Sequence, residues 1–88
     1  MNFHFSGALL RFIDFNKTVT VEAETVRDGI VEVATRFPQA KAVLLDPEGE
    51  VRPVHQIFLN GQQLAMQQLS TRVVPSDTVD VVTPVAGG

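Results

Sequence analysis

The sequence TVRDGIVEVATRFP, residues 25–38, decides the fold class of this chain. Its apolar residues recur at the spacing of one helix face. They are Val26, Ile30, Val33, Ala34 and Phe37. Thr25 and Asp28 form a capping-box-like start, and Pro38 disfavours helical geometry at the preceding residue. We therefore predict a helix from Thr25 to Phe37 that buries Ile30 and Phe37 against a sheet.

Strand patterns lie on the N-terminal side of this helix. Phe3, Phe5 and Gly7 alternate with polar residues, and in residues 18–23 Val19 and Val21, followed by an alanine, alternate with polar residues. The apolar segment 8–13 between them fits a turn or a short helical segment. The two strands are predicted to form a hairpin.

Further strand patterns follow the helix. Residues 46–50 carry turn chemistry, residues 54–59 form a strand pattern, and Asn60-Gly61 is a favoured hairpin turn. Residues 70–77 are predicted to form a loop, and Val79 and Val81 belong to the last strand. The order β, β, α, β, β is that of a β-grasp, an α+β fold with a mixed sheet packed on one main helix, although other small α+β domains share it.

Length and composition limit the possible functions. The chain has 88 residues, 44% of them apolar, and a formal net charge of −3 without a basic run, which argues against nucleic-acid binding. A membrane-spanning helix needs about 20 consecutive apolar residues, and no stretch of the sequence approaches that length. The first residues do not resemble a signal peptide. We expect one cytoplasmic domain. The absence of cysteine means that any sulfur chemistry uses a sulfur atom from elsewhere.

No pattern of residues indicates a catalytic or metal site. His4 and His55 lie in predicted strands without neighbouring ligands, so we expect ordinary structural or surface histidines. The serines lack a nucleophile elbow, and the glutamines at 62, 63, 67 and 68 fit a solvated loop or a short helix face. We predict that the chain is not an enzyme and has no cofactor or metal of its own.

The C-terminal segment is distinctive. After the last strand come Pro84, Val85, Ala86, Gly87 and Gly88, so we divide the chain into a domain at 1–83 and a flexible tail at 84–88. The proline ends the sheet ladder, and side chains without bulk suit passage through a narrow channel. The terminal carboxylate becomes a good electrophile only after conversion to an acyl-adenylate. The alternative is a frayed terminus without function.

Four segments together resemble the sulfur-carrier branch of the ubiquitin-like superfamily. They are residues 7–11, the helix with Pro38, residues 57–61, and residues 75–79 continued through Gly88. Members of this family are the small subunit of molybdopterin synthase and the sulfur carriers of thiamine and cysteine synthesis. The chain departs from the usual pattern at Ser76, which precedes Asp77 where a glycine is common, and at Thr83, where many members have a second proline. It also has Val81-Val82 where several members carry an aromatic residue.

The resemblance implies a β-grasp fold and a role as a protein co-substrate. Gly88 would be adenylated by a ubiquitin-activating-type enzyme that uses ATP and magnesium, and would then become a thiocarboxylate. Pro84, Val85, Ala86 and Gly87 would thread into that enzyme. A second, biosynthetic enzyme would accept the sulfur.

Alternation along the strands, together with the resemblance, places a docking surface on the sheet face away from the helix. Phe58, Leu64 and Val82 are the predicted docking residues. Two other functions remain open: a protein modifier conjugated through Gly88, and a β-grasp interaction module with an unmodified tail. The sequence leaves open the receiving pathway, the sulfur source and the oligomeric state.

Overall fold

The computed structural model describes residues 1–83, and within them five strands form one mixed sheet. The strands are β1 (Asn2–Phe5), β2 (Thr18–Thr20), β3 (Gln56–Leu59), β4 (Gln62–Leu64) and β5 (Thr78–Val82). They are ordered β2-β1-β5-β3-β4, with β1 and β5 parallel and every other neighbouring pair antiparallel. The predicted α+β, β-grasp fold is confirmed for these residues. The predicted tail at 84–88 lies outside them.

The main helix, α1 (Val26–Arg36), packs against one face of the sheet. Thr25 caps it, since its Oγ1 accepts a hydrogen bond of 3.1 Å from the Asp28 amide. Val26, Ile30, Val33 and Ala34 are buried, which confirms most of the predicted face.

The prediction that Phe37 is well buried is wrong. Its side chain is only partly buried at the edge of the core. Pro38 ends the helix at Arg36, and Phe37 has φ −120° and ψ 84°. Because this backbone is not helical, the Phe37 side chain does not continue the buried face of α1.

A second helix, α2 (Pro38–Leu44), was not predicted. Proline disfavours a helix at the residue before it, but its fixed φ suits the first turn of a new helix. Pro38 therefore both ends α1 and begins α2. Ala40 and Leu44 of α2 are buried in the core.

The connections mostly follow the prediction. A turn or short helical segment is predicted at residues 8–13, and the structure has a 3-10 helix at Gly7–Phe12 between β1 and β2. Asn60 and Gly61 have φ of 50° and 86°, as their hairpin turn requires. The glutamines expected in a loop or helix face are divided between β4 and a second 3-10 helix, Met66–Gln68.

The core lies between the helices and the inner face of the sheet. Phe3, Ile57, Val79 and Val81 project from the strands and are almost fully buried. They pack in one cluster with side chains of α1 and α2. No helix within residues 1–83 is long and apolar enough to cross a membrane.

Candidate functional site

The site predicted from sequence begins where β5 ends. β5 is the central strand, with β1 on one side and β3 on the other, so the sheet holds its position through backbone hydrogen bonds on both edges. Thr83 follows Val82 and is the last described residue. The predicted tail residues Pro84, Val85, Ala86 and Gly87 and the predicted reactive residue Gly88 lie outside the described part.

Two of the three predicted docking residues share the outer face of the sheet. Val79 and Val81 are buried, so the alternation of β5 turns Val82 outward, where it is 36% exposed. Phe58 pairs with Asp80 on β5, and Gln56 pairs with Val82. Phe58 and Val82 are therefore diagonal neighbours, at a spacing of about 7–8 Å that a phenyl ring spans. We call these two residues the outer apolar pair.

The third predicted docking residue, Leu64, is on the opposite face. Leu64 pairs with Ile57, which is fully buried, and it packs against the core. The prediction that it lies on the outer face of the sheet is wrong. The two-residue turn pairs Leu59 with Gln62, so the outer position next to Phe58 belongs to Gln63. This register was available from the sequence, because a two-residue hairpin turn fixes every later pair.

Polar groups continue the outer face beyond the apolar pair. The His4 ring lies across from Asp80, with Nδ1 3.4 Å from the carboxylate, and both side chains are about half exposed. A polar contact this open contributes little to stability. Among residues 1–83, no group of three or more His, Asp or Glu side chains is placed to hold a metal ion.

The second histidine, His55, is buried beside the end of β5. Only 2% of it is exposed, and its Nδ1 lies 2.6 Å from Thr83 Oγ1. Its Nε2 lies 2.7 Å from the backbone oxygen of Val43 in α2. The sequence predicts an ordinary histidine within a strand, whereas His55 precedes β3 and connects α2 to Thr83, the last described residue.

The other end of β5 is fixed by Asp77. Its carboxylate accepts hydrogen bonds from the Asn60 side chain at 3.0 Å and from the Val74 amide at 2.8 Å. Both bonds favour the charged form, and together they lower the pKa of Asp77, the Asn60 bond most strongly. The Asn60 side-chain oxygen also accepts from the Thr78 amide at 2.9 Å. The hairpin turn is thereby attached to the beginning of β5.

The ThiS family model matches residues 8–88, nearly the whole chain and all of the predicted tail. The chain belongs to the ThiS family. The resemblance to ubiquitin-like sulfur carriers is thereby confirmed at the level of the family. Comparison with curated protein sequences finds no match.

Solved structures similar to this ThiS-family chain share its fold. The small archaeal modifier protein 1 of Methanosarcina acetivorans superposes with a TM-score of 0.83 at 21% identity, over 99% of this chain and 94% of that one. A chain of the Amycolatopsis orientalis BexX/CysO complex gives 0.80 at 23% identity, over 99% and 98%. Urm1 of Sulfolobus solfataricus gives 0.77 at 13% identity, over 96% and 100%. At these identities the likeness establishes the β-grasp fold.

Proposed function

We propose that this chain is a cytoplasmic sulfur carrier whose Gly88 carboxylate is converted to a thiocarboxylate that donates sulfur in a biosynthetic reaction. The observation that carries the proposal is the extent of the family match, which runs through residue 88 and so includes Gly87-Gly88. Residues 1–83 act as the recognition domain and residues 84–88 as the reactive tail.

The chemistry follows from the poor reactivity of a carboxylate. At pH 7 the terminal carboxyl group is ionised and resists attack by a nucleophile. Attack of its oxygen on the α-phosphorus of ATP forms an acyl-adenylate and releases pyrophosphate. Hydrosulfide then adds to the acyl carbon, AMP leaves with the C–O bonding electrons, and the thiocarboxylate remains. A persulfide donor gives the same product when a thiol reduces the acyl disulfide formed first.

A partner enzyme supplies the activation in this proposal. It would bring ATP, magnesium and the positive charge that neutralises the phosphates, while this chain acts as co-substrate with no cofactor of its own. A ubiquitin-activating-type enzyme would take Pro84, Val85, Ala86 and Gly87 into its channel. A complex between the similar CysO and BexX supports an enzyme as partner. A second enzyme would accept the sulfur.

The outer apolar pair is the proposed docking surface for the activating enzyme. It lies on the sheet face that the helices leave open, and Val82 is one residue from the last described residue. Docking there would hold the start of the tail beside the enzyme. The pair replaces the three-residue patch expected from the sequence, because Leu64 faces the core.

A protein modifier is the second candidate function. The similarity to a protein named small archaeal modifier protein 1 favours it, and adenylation of Gly88 serves both functions. The two differ in the nucleophile that displaces AMP, which is a sulfur donor for a carrier and a lysine amine for a modifier. An interaction module with an unmodified tail is the third.

Two measurements test the proposal. Deleting Gly88, or adding one glycine after it, moves the carboxylate by about 3.3–3.6 Å. We expect both variants to lose ATP–pyrophosphate exchange with the activating enzyme and to keep the wild-type melting temperature. Retained exchange would refute the proposal.

Intact mass spectrometry of the protein isolated from its host then separates the candidates. A carrier gains the mass difference between sulfur and oxygen, and treatment with iodoacetamide alkylates that sulfur. A modifier instead appears joined to a second protein, and an interaction module shows neither change.

A further inference from the structure

The C-terminal end of α2 is capped by the loop that precedes β3. The last four carbonyl groups of a helix have no partner within it. In this chain the Arg52 amide donates to Leu44 O at 3.0 Å, and the Arg52 Nε donates to Ala42 O at 2.9 Å. His55 hydrogen-bonds to a third carbonyl, that of Val43, through Nε2 at 2.7 Å. The cationic Arg52 also suits the negative end of the helix dipole.

The Val43 bond determines the tautomer of His55. A carbonyl oxygen only accepts hydrogen bonds, so the proton of the neutral ring is on Nε2. Nδ1 is then the acceptor, and the Thr83 hydroxyl 2.6 Å away donates to it. Because only 2% of His55 is exposed, water does not readily replace the Thr83 hydroxyl as the partner of its ring. A continuous chain of hydrogen bonds thus connects the α2 backbone, the His55 ring and the Thr83 side chain.

This chain of bonds ends at Thr83, the residue before the predicted tail. Val82 is held in the ladder by its pairing with Gln56, and the next residue is held through its side chain by His55. Pro84 further restricts the backbone of the residue before it. Thr83 is therefore restrained by its paired neighbour Val82, by its own side chain and by the proline that follows.

We propose that His55 and Thr83 are positioning residues that hold the Thr83 backbone, the point from which residues 84–88 continue, in one orientation. This inference rests on the proposed activation of Gly88. Fixing Thr83 before binding reduces the conformational entropy lost when the carrier binds the enzyme, which improves capture of the carrier. Neither residue takes part in the chemistry. We therefore expect the positioning to lower the KM for the carrier and to leave kcat unchanged.

Two variants of Thr83 test the positioning role. Thr83→Val has the same shape without the hydroxyl, and Thr83→Ser keeps the hydroxyl. In the pyrophosphate-exchange assay we expect Thr83→Val to raise the KM for the carrier about tenfold with kcat unchanged, and Thr83→Ser to restore a near wild-type KM. A purely structural role would lower the melting temperature of Thr83→Val and leave KM unchanged well below that temperature. That result would overturn the inference.

A second readout needs no enzyme. Because the sequence has no cysteine, Gly88→Cys creates one site for a nitroxide spin label. We expect the paramagnetic broadening of backbone amides to cover a wider area of the domain when Thr83→Val is added, and to return to the original pattern with Thr83→Ser. An identical pattern in all three proteins would overturn the inference. If the wild-type protein is never adenylated but the pattern changes as expected, the proposed function fails and the positioning of the tail stands.

Discussion

Gly29 of α1 lies so close to Phe3 of β1 that a β-carbon at position 29 would be 2.8 Å from Cε2 of the phenyl ring. It would also overlap the end of the Met1 side chain. Phe3 is fully buried and packs within the core cluster, so its ring is less able to yield than an exposed side chain. The missing side chain therefore sets how closely the main helix approaches the centre of the sheet.

Substituting Gly29 by alanine is expected to destabilise the domain. Alanine favours a helix over glycine by about 1 kcal/mol, but overpacking a core costs about 1–3 kcal/mol. We expect a net loss of up to about 2 kcal/mol in the free energy of unfolding, measured by urea denaturation. Glu32→Ala, at an exposed position of the same helix, is the control and should change stability little. A gain in stability for Gly29→Ala would show that the core accommodates the methyl group.

Features that depend on local sequence could be predicted. The face of α1 follows from its apolar spacing, and the alternation of Val79 and Val81 gives the inward side of β5. The pairing of Leu64 with Ile57 also follows from the two-residue turn, whereas the alternation within each strand does not show it. Register across a hairpin is local information, because the turn length determines it.

Features that depend on distant contacts could not be predicted. The start of α2 at Pro38 looks like a helix end, and only the burial of Ala40 and Leu44 shows why the chain turns into a second helix. The contact of His55 with Thr83 joins residues 28 positions apart, and nothing in either neighbourhood signals it. Such contacts become visible only when the tertiary structure is known.

The lowered pKa of Asp77 gives stability a dependence on acidity. Its pKa is near 3.8 in the unfolded chain and lower in the folded protein, so the folded state favours the ionised form. The resulting stabilisation is complete above that value and is lost as the pH falls through the folded pKa. We expect the free energy of unfolding to decrease in this acidic range, as measured by denaturation at a series of pH values.

Two variants assign this acid dependence to the Asn60–Asp77 contact. Asp77→Asn removes the titrating group, so the free energy of unfolding should depend less on pH below 3.8. Asn60→Gly removes the amide donor but keeps a residue that tolerates the positive φ of the turn. It should also reduce the dependence of the free energy of unfolding on pH. A wild-type slope in both variants would locate the acid sensitivity at another carboxylate.

The segment before β2 stores backbone strain at Phe15. Asp14 and Phe15 both have positive φ, of 55° and 59°, and the Phe15 ring is 72% exposed. Asparagine adopts this conformation at lower cost. We expect Phe15→Asn to raise the free energy of unfolding by up to about 1 kcal/mol, measured by thermal and urea denaturation.

Phe15→Ala is the matched control for that variant. It removes the same ring but keeps a residue that disfavours positive φ, so we expect no gain in stability. If the free energy of unfolding of both variants falls by more than about 1 kcal/mol, the Phe15 ring makes stabilising contacts despite its exposure. Equal gains in both would assign the effect to loss of the ring instead of relief of the backbone.

Val82 provides the sharpest test of the proposed docking surface. A carboxylate placed there would be desolvated against an apolar partner surface, so we expect Val82→Asp to weaken binding to the activating enzyme at least tenfold in titration calorimetry. Val74→Asp is the matched control, because it adds the same charge at an exposed valine near the opposite end of β5. Circular dichroism and denaturation establish that both variants fold. Unchanged affinity of a folded Val82→Asp protein, or an equal loss in both variants, would remove the outer apolar pair from the interface and leave the case for Gly88 as it is.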